Sequence, residues 1–243
     1  MDVDQYICQP SSAPTPDDAT GAVSLSVSEV NEHAVIIPNL EPSTEYTVYA
    51  FYNGAICARA TFTTKKGKPV GYTEYNGVEA LIADWDNLSG NILVTISADA
   101  DLSNKSEIPA AVTNIVFWGE GATQRIAVKN MQTLGAIDKI EFYNLNISAL
   151  SNDCVIAPNT EGSSIANIEI TSCTIENYRG IVRMRKVNGE SSLKLNIDDC
   201  IIRNLGTKGT NNYYGIVQTD GAVKSVIINM MNSTFANPGG INA

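Results

Sequence analysis

Four segments in the second half of the chain share one pattern of apolar and polar positions. Each reads apolar, polar, apolar, any residue, a polar turn residue, a small or apolar residue, any residue, apolar, and the apolar positions are mostly β-branched. The segments begin at Ile140, Ile168, Leu195 and Ile228, so the pattern recurs after 28, 27 and 33 residues. The alternation predicts short strands, and such periods are typical of a solenoid in which strands stack.

The polar turn position of this repeat is filled by residue types that tolerate a left-handed backbone or bond their own turn. These residues are Asn144, Ser172, Asp199 and Asn232. We expect stacked copies to align them in a ladder and to point the residues that follow them inward. Two of those following residues are Cys173 and Cys200, which we interpret as small buried residues, with a disulfide or a reactive thiol as the alternative.

A third strand is predicted in two of the repeats, at residues 180–185 and 214–220. Because charged side chains avoid the core, Val182 and Met184 should face inward and the residues that alternate with them should face outward. The predicted outward-facing residues are Ile181, Arg183 and Arg185, with Gln218 and Asp220 on the neighbouring strand. Asp220 is then placed to pair with Arg185.

A short amphipathic helix is predicted ahead of the repeat, because apolar residues are spaced at i, i+3, i+4 and i+7. These residues are Val78, Leu81, Ile82 and Trp85. The front third of the chain has short alternating runs and a turn at Asn53-Gly54, which predict an all-β sandwich. A charged Gly/Pro stretch separates the two patterns. The predicted organisation is a sandwich at 1–66, a linker at 67–75 and the repeat at 76–243.

Composition and charge exclude several classes of protein. The 26 acidic and 16 basic residues give a formal net charge of −10, which repels nucleic acid. No apolar run approaches the roughly 18 residues that a membrane-spanning helix needs. The single histidine, His33, excludes His-rich metal sites, and no cysteine pair has the spacing of a zinc or redox motif. No signal peptide is visible, so the protein is cytoplasmic or its export signal lies outside this chain.

Residues 34–65 resemble the second half of a fibronectin type III domain. The residues that carry the resemblance are Leu40, Pro42, Thr44 and Tyr46, in the order of that module's tyrosine corner, and the closing strand Phe62-Thr63-Thr64. Residues 3–7 resemble the third strand of the module, so its first two strands would be missing. The resemblance therefore implies a partial module in a chain that begins inside a domain.

Residues 70–243 resemble the right-handed parallel β-helix of the pectate-lyase superfamily. The predicted helix at 77–85 resembles the cap over the first coil in that family, and the polar ladder resembles its asparagine ladder. A last coil that starts at Gly239 is cut short, which is a second indication of a fragment. The expected fold class is all-β: a partial fibronectin type III sandwich followed by a right-handed parallel β-helix with a short N-terminal capping helix.

A fibronectin type III module followed by such a β-helix resembles secreted or surface proteins of gut Bacteroidetes that accompany polysaccharide use. The resemblance implies a polysaccharide partner and a location outside the cell or on its surface. It also implies an export signal, usually of the lipoprotein type, ahead of the region seen here. We expect a monomer with no nucleic-acid partner.

In β-helix polysaccharide lyases the substrate lies along the outer face of the first parallel sheet, which the predicted third strand resembles. The resemblance implies substrate-binding candidates on that strand and in the loops beside it. These candidates are Arg183, Arg185, Gln218, Asp220, Tyr178 and Tyr214. The alternatives are a solvated ion pair for the charged residues and loop packing for the tyrosines.

Three functions stay open, and we assign no catalytic residue. The protein binds or processes a polysaccharide on this face, or is an active lyase that uses arginine and a cation, or is a non-catalytic spacer or adhesin. A lyase would need a base and a cation, commonly calcium, but no carboxylate cluster stacks in the aligned columns. We therefore predict no cofactor or metal, with calcium reserved for the lyase. A polygalacturonase-type hydrolase is disfavoured, because Asp198 and the adjacent Asp199 should face opposite sides and belong to the ladder.

Overall fold

The structure is a computed structural model that describes residues 3–121, 124–148, 153–187, 190–206, 215–220 and 223–236. It divides into two compact units, Met1–Lys68 and Pro69–Ala243, which we call the sheet unit and the repeat unit. The division lies within the predicted linker. Strands dominate both units and the described helices are short, so the predicted all-β class is confirmed.

The sheet unit is a four-stranded antiparallel sheet with one short helix. Its elements are β1 (Gln5–Pro10), β2 (Val23–Ser24), α1 (Val27–Glu32), β3 (Glu45–Tyr52) and β4 (Ala55–Thr63), and the sheet order is β2-β1-β3-β4. The predicted turn joins β3 to β4, and Asn53 and Gly54 both have positive φ (50° and 77°), which suits a two-residue hairpin. α1 is absent from the predicted elements, although Ser26 and Glu29 form a capping box that marks its start.

The repeat unit consists mostly of strands in a regular order. Along the chain its elements are β5 (Thr73–Asn76), α2 (Val78–Ala83), a 3-10 helix (Trp85–Asn87), β6 (Gly90–Ile96), β7 (Ala100–Asp101), β8 (Glu107–Ile108), β9 (Val112–Gly119), β10 (Arg125–Ala127), β11 (Gln132–Thr133), β12 (Ala136–Tyr143), β13 (Asn146–Ser148), β14 (Cys154–Ile156), β15 (Ser164–Thr171), β16 (Thr174–Glu176), β17 (Gly180–Met184), β18 (Ser192–Asp198), β19 (Ile201–Arg203), β20 (Val217–Thr219), β21 (Ser225–Met231) and β22 (Thr234–Ala236). A long strand, a short strand and a third strand recur in that sequence.

Equivalent strands of successive repeats pair in parallel. The long strands form one sheet in the order β21-β18-β15-β12-β9-β6-β5, and the short strands form a second in the order β22-β19-β16-β13-β10-β7. The third strands form the sheet β14-β17-β20, and β11 pairs with β8. The register is the predicted one, since Ile140 pairs with Ile168, Ile168 with Leu195, and Leu195 with Ile228. Apolar side chains from these strands build one large core cluster.

At the four predicted turns, a single left-handed residue turns the chain from a long strand into the next short strand. The predicted turn residues have φ values in this region, with 54° at Asn144, 53° at Ser172, 52° at Asp199 and 49° at Asn232. Neighbouring turns are bonded to each other, because the Ser172 hydroxyl donates to an Asp199 carboxylate oxygen (2.8 Å). Cys173 and Cys200 are buried free thiols, so the predicted burial is confirmed and the disulfide alternative is wrong.

The start of the repeat unit matches the prediction only in part, since α2 ends at Ala83, a separate 3-10 helix contains Trp85, and Ile82 is only half-buried. α2 and the 3-10 helix bury Val78, Leu81 and Trp85, as their spacing predicts. β5 begins at Thr73 and pairs with β6, so the last part of the predicted linker is a strand of the long-strand sheet. A strand this short has too little alternation to be predicted from sequence.

Candidate functional site

Four of the predicted candidates lie on or directly after the third strands. Arg183 on β17 and Gln218 on β20 are register partners, so they are neighbours across the sheet, as predicted. Val182 and Met184 are buried, which is also the predicted arrangement. The prediction for Ile181 is wrong, because this residue is fully buried in the core rather than facing outward. The next residue, Val182, is also buried, so β17 is covered on both faces at this position.

Asp220 pairs with Arg183 rather than with Arg185, which corrects the predicted pair. Arg183 Nε donates to Asp220 Oδ2 (2.6 Å), and an Arg183 terminal nitrogen lies 2.6 Å from the same oxygen. Gln218 Nε2 donates to the other oxygen, Oδ1 (2.7 Å). The backbone explains the choice of partner, because the Asp220 N–H donates to the Met184 carbonyl (2.7 Å) and holds the carboxylate beside the end of β17.

Cationic side chains gather around this ion pair. Arg185 and Lys186 are exposed, and within the described ranges neither has an ion-pair partner. The positive charges of Arg183, Arg179 and Arg185 act on the Cys154 thiol of β14, where the negative charge of Asp153 partly opposes them. Burial outweighs them and raises the pKa of Cys154 to about 11, so this thiol is protonated at neutral pH. The site is therefore locally basic on a chain whose formal net charge is −10.

Tyr178 does not offer an aromatic surface to a ligand. Its side chain is only 1% exposed. Its hydroxyl donates to the Val128 carbonyl (2.9 Å) and accepts from the Val128 N–H (3.4 Å), and burial raises its pKa. The expectation of an exposed ring is wrong, and packing is the role that the structure shows. Tyr214, the other aromatic candidate, lies outside the described residues.

The acidic residues considered for catalysis have structural partners. Asp199 accepts the hydroxyl of Ser172, and Asp198 accepts the amide of Asn232 (2.9 Å), so both belong to the turn ladder. In the part of the chain that the structure describes, no group of His, Cys, Asp and Glu side chains is arranged to hold a metal ion.

The outer face of the long-strand sheet carries a second apolar cluster that the predictions omit. Its buried members are Leu93, Val116, Trp118 and Tyr143. The Trp118 and Tyr143 rings stack with centroids 4.0 Å apart. On the same face, the buried Glu141 accepts a hydrogen bond from Lys139 (2.8 Å). The sequence signal is the unbroken apolar run at 115–118, which is typical of a strand buried on both faces.

No protein-family model matches the chain, and neither the curated proteins nor the solved structures include a significant match to it. Among the residues described, no helix combines the length and the apolar character that a membrane crossing requires. The candidate site lies on the third-strand face, which is the outer face of the β14-β17-β20 sheet around Arg183 and Gln218.

Proposed function

We propose that the repeat unit is a right-handed parallel β-helix that binds a polysaccharide along the outer face of the β14-β17-β20 sheet. The observation that carries the proposal is the pairing of Arg183 with Gln218 on neighbouring strands, with exposed Arg185 and Lys186 just beyond β17. Strands about 4.8 Å apart present polar groups at a regular interval, which suits a polymeric ligand. Action outside the cell or on its surface follows from the resemblance to β-helix proteins and belongs to this proposal.

Two features support the proposed architecture. Connections that return the chain to a parallel neighbour in the same sheet are right-handed in nearly all proteins, and every neighbouring pair in the three largest sheets of the repeat unit is of this kind. In the sheet unit, the Tyr46 hydroxyl accepts a hydrogen bond from the Glu41 N–H (2.9 Å), which is the contact expected of a tyrosine corner. We therefore propose that the sheet unit is part of a fibronectin type III module.

Binding of the full chain to an array of acidic and neutral polysaccharides tests the function, with calorimetry on each glycan that binds. The double variant Arg183→Ala, Arg185→Ala should weaken binding by about a hundredfold or more, because each guanidinium supplies charge-assisted hydrogen bonds. Arg203→Ala is the matched control. Arg203 also bonds a carboxylate on a neighbouring strand, that of Glu176 (2.7 Å), but it lies in the short-strand sheet.

The control should bind like the wild type. Unchanged binding in the double variant, or an equal loss in the control, would remove the third-strand face as the glycan site. The same preparations test the lyase, which would release unsaturated uronate products that absorb ultraviolet light when calcium is added.

A non-catalytic spacer is the competing function. It is favoured by the continuous core of the repeat unit, since a stacked core of this kind makes a stiff element without any ligand. A spacer would bind no glycan on the array and release no product.

A further inference from the structure

The last long strand of the repeat unit, β21, is open along one edge. It is the terminal strand of the long-strand sheet, and among the described strands it pairs with β18 alone. Its inward-facing residues Ile228 and Met230 are 45% and 37% exposed, whereas their register partners Leu195 and Ile197 are 0% exposed. Core positions of the stack are therefore in contact with water at this end.

The outer face of β21 is apolar as well. Ile227 and Met231 point outward and are both more than half exposed. Their register partners on β18 are the charged residues Lys194 and Asp198, which are the kind of residue expected on a solvent-facing wall. Exposed apolar residues that gather in one place mark an interaction site. β21 therefore differs from an inner strand of the stack on both of its faces.

The sequence of β21 matches itself when it is reversed. Around Asn229 it reads apolar, apolar, Asn, apolar, apolar, in the run Ile227-Ile228-Asn229-Met230-Met231. In an antiparallel pair of two such strands centred on Asn229, Ile227 lies beside the partner's Met231 on the outer face, and Ile228 lies beside the partner's Met230 on the inner face. Cross-strand apolar pairs stabilise a sheet. A register centred on Ile228 or on Met230 would instead place Asn229 beside an apolar residue.

The backbone groups at the free edge suit the same register. The Met231 carbonyl accepts a hydrogen bond from the Asp199 N–H (3.3 Å), so Met231 turns its backbone groups towards β18. Successive residues of a strand turn these groups to opposite edges, so those of Ile228 and Met230 point away from β18. In the register centred on Asn229, Ile228 exchanges both of its backbone hydrogen bonds with the partner's Met230.

We propose that β21 pairs antiparallel with β21 of a second copy of this chain, about a twofold axis at Asn229, in place of the monomer expected from the sequence. A twofold interface uses the same patch on both copies, so the patch has to match itself when it is reversed. The Asn229 amide donates to Asn196 Oδ1 (2.9 Å), and it keeps a second N–H and an oxygen for the partner's Asn229. The inference does not depend on the proposed glycan site.

The distribution of charge favours a second copy as the occupant. Two chains that each have a formal net charge of −10 repel each other, so they can associate most easily where charge is lacking. Residues 225–236 contain no charged side chain, whereas β12, β15 and β18 each contain at least one. Edge strands that stay unpaired are commonly protected by charged side chains. β21 lacks that protection.

Sedimentation equilibrium of the full chain over a range of concentrations tests the proposal. The wild type should form a dimer. Ile227→Glu should weaken dimerisation by about a hundredfold or more, because it places a carboxylate beside the partner's Met231 in an apolar pair. The variant should still fold, since residue 227 is exposed in the single chain and lies beside Lys194, which can pair with the new carboxylate.

Ile201→Glu is the matched control. Ile201 is also an outward-facing isoleucine and is about half exposed, but it lies on β19 of the short-strand sheet, which has a paired strand on either side. This variant should dimerise like the wild type. A wild type that is monomeric at every concentration, or an equal loss of dimer in the two variants, would overturn the inference.

The size of the assembly separates this pairing from a head-to-tail arrangement. Pairing of β21 with β5, at the opposite edge of the same sheet, would give an open series of sizes rather than a closed dimer. We expect the dimer because α2 and the 3-10 helix bury Val78, Leu81 and Trp85 next to β5, so the core is covered there. An open series of sizes would show that the inference is wrong.

Single cysteine variants test the register. At the twofold axis the two copies of residue 229 form a non-hydrogen-bonded pair with Cα atoms about 4.5 Å apart, which a disulfide can span. Asn229→Cys should therefore give a covalent dimer when copper phenanthroline is added as the oxidant. Met231→Cys is the control on the same face, since its two copies would lie about 13 Å apart along the strands. A covalent dimer with Met231→Cys and none with Asn229→Cys would contradict the proposed pairing.

Hydrogen exchange of the wild type gives a readout that needs no variant. The amides of Ile228 and Met230 should exchange at least about tenfold more slowly in the dimer, because they gain hydrogen bonds to the partner strand. The amide of Asn229 points to β18 and should change little. Exchange at Ile228 and Met230 that is independent of protein concentration, under conditions where the dimer forms, would mean that the copies associate through another surface.

Discussion

The two units bury their strands to very different extents. In the sheet unit, β4 is exposed along nearly its whole length, and Phe62 on it is 37% exposed. In the repeat unit, the paired residues Ile140, Ile168 and Leu195 are all 0% exposed. Each repeat covers the one before it, whereas a single antiparallel sheet commonly leaves one face open. Burial in the repeat unit is thus supplied by copies of the same pattern.

Each unit has its own natural probe of unfolding. Both tryptophans, Trp85 and Trp118, lie in the repeat unit, so tryptophan fluorescence follows that unit. Cys8 and Cys57 lie in the sheet unit and are half-buried free thiols, so their labelling follows the other. The comparison can therefore be tested in one intact chain.

The largest effect is expected from core truncation in the repeat unit. Phe142 is 0% exposed and stacks on Phe117 of the neighbouring strand, with ring centroids 5.0 Å apart. Phe142→Ala should lower the unfolding free energy of the repeat unit by about 3–5 kcal/mol, because a buried aromatic leaves a cavity. Urea unfolding followed by tryptophan fluorescence measures this loss.

Phe62→Ala is the counterpart in the sheet unit. Phe62 also stacks on an aromatic ring of a neighbouring strand, that of Tyr46 (6.0 Å), but over a third of its surface is already in water. We expect a loss of about 1–2 kcal/mol in the unfolding followed by thiol labelling. Equal losses in the two variants would show that burial does not distinguish the units.

The stacking of the repeat could be predicted from sequence because its signal is redundant. Four segments repeat the same alternation, so an error in one is corrected by the others, and the predicted pairing from Ile140 to Ile228 is the observed one. Single-copy features carry no such support. α1 and β5 are short and occur once, and neither is among the predicted elements.

The cysteines of the two units should differ in their reactivity towards alkylating reagents. We expect this difference to be large, but smaller than the effect of core truncation. Burial raises the pKa of Cys154 and Cys200 to about 11 from the 9.0 of an exposed thiol, and it raises that of Cys173 as well. Burial also raises the pKa of Cys8, but this side chain is only half-buried. At pH 8 the thiolate fraction of Cys154 and Cys200 is then about a hundredfold smaller than that of an exposed thiol, and burial also excludes the reagent. Alkylation at pH 8 followed by mass spectrometry should modify Cys8 and Cys57 first.

The same pKa shifts fix the sign of a pH effect on stability. A thiol whose pKa is raised by folding stays neutral in the folded chain while the unfolded chain ionises. The repeat unit should therefore lose stability as the pH rises from about 9 towards 11. Rapid modification of Cys173 in the folded chain, or a repeat unit that is stable throughout this range, would contradict the burial of these three thiols.

The candidate site was less predictable than the stacking of the repeats. It depends on which side chains pair with each other, and the alternation of apolar and polar residues does not determine that. Alternation placed Arg183 and Gln218 on one face, and the structure pairs them. It could not tell which arginine Asp220 would meet, because the backbone bond to Met184 decides that. The burial of Tyr178 could not be predicted either, because the sequence around a loop tyrosine does not indicate whether its side chain is exposed or buried.

Each unit has an asparagine with a left-handed backbone. Variants at these two positions can separate the free-energy cost of that backbone conformation from the stability that the ladder hydrogen bond adds. Asn53 lies in the β3–β4 hairpin with φ 50°, and Asn144 lies in the ladder with φ 54°. The Asn144 side-chain amide also donates to the Gly119 carbonyl (3.1 Å). Replacement by alanine should cost about 1–2 kcal/mol at either position for the left-handed backbone alone. At Asn144 the lost hydrogen bond should add about 1 kcal/mol.

Glycine variants isolate the smaller contribution, because glycine adopts the left-handed backbone without strain at both positions. Asn144→Gly should lower the unfolding free energy by about 1 kcal/mol more than Asn53→Gly, since only Asn144 loses a bond to the neighbouring repeat. Urea unfolding measures the difference, with fluorescence for the repeat unit and thiol labelling for the sheet unit. Equal effects of the two glycine variants would mean that the ladder residues are selected for their turn alone, and that the register of the stack depends on its core.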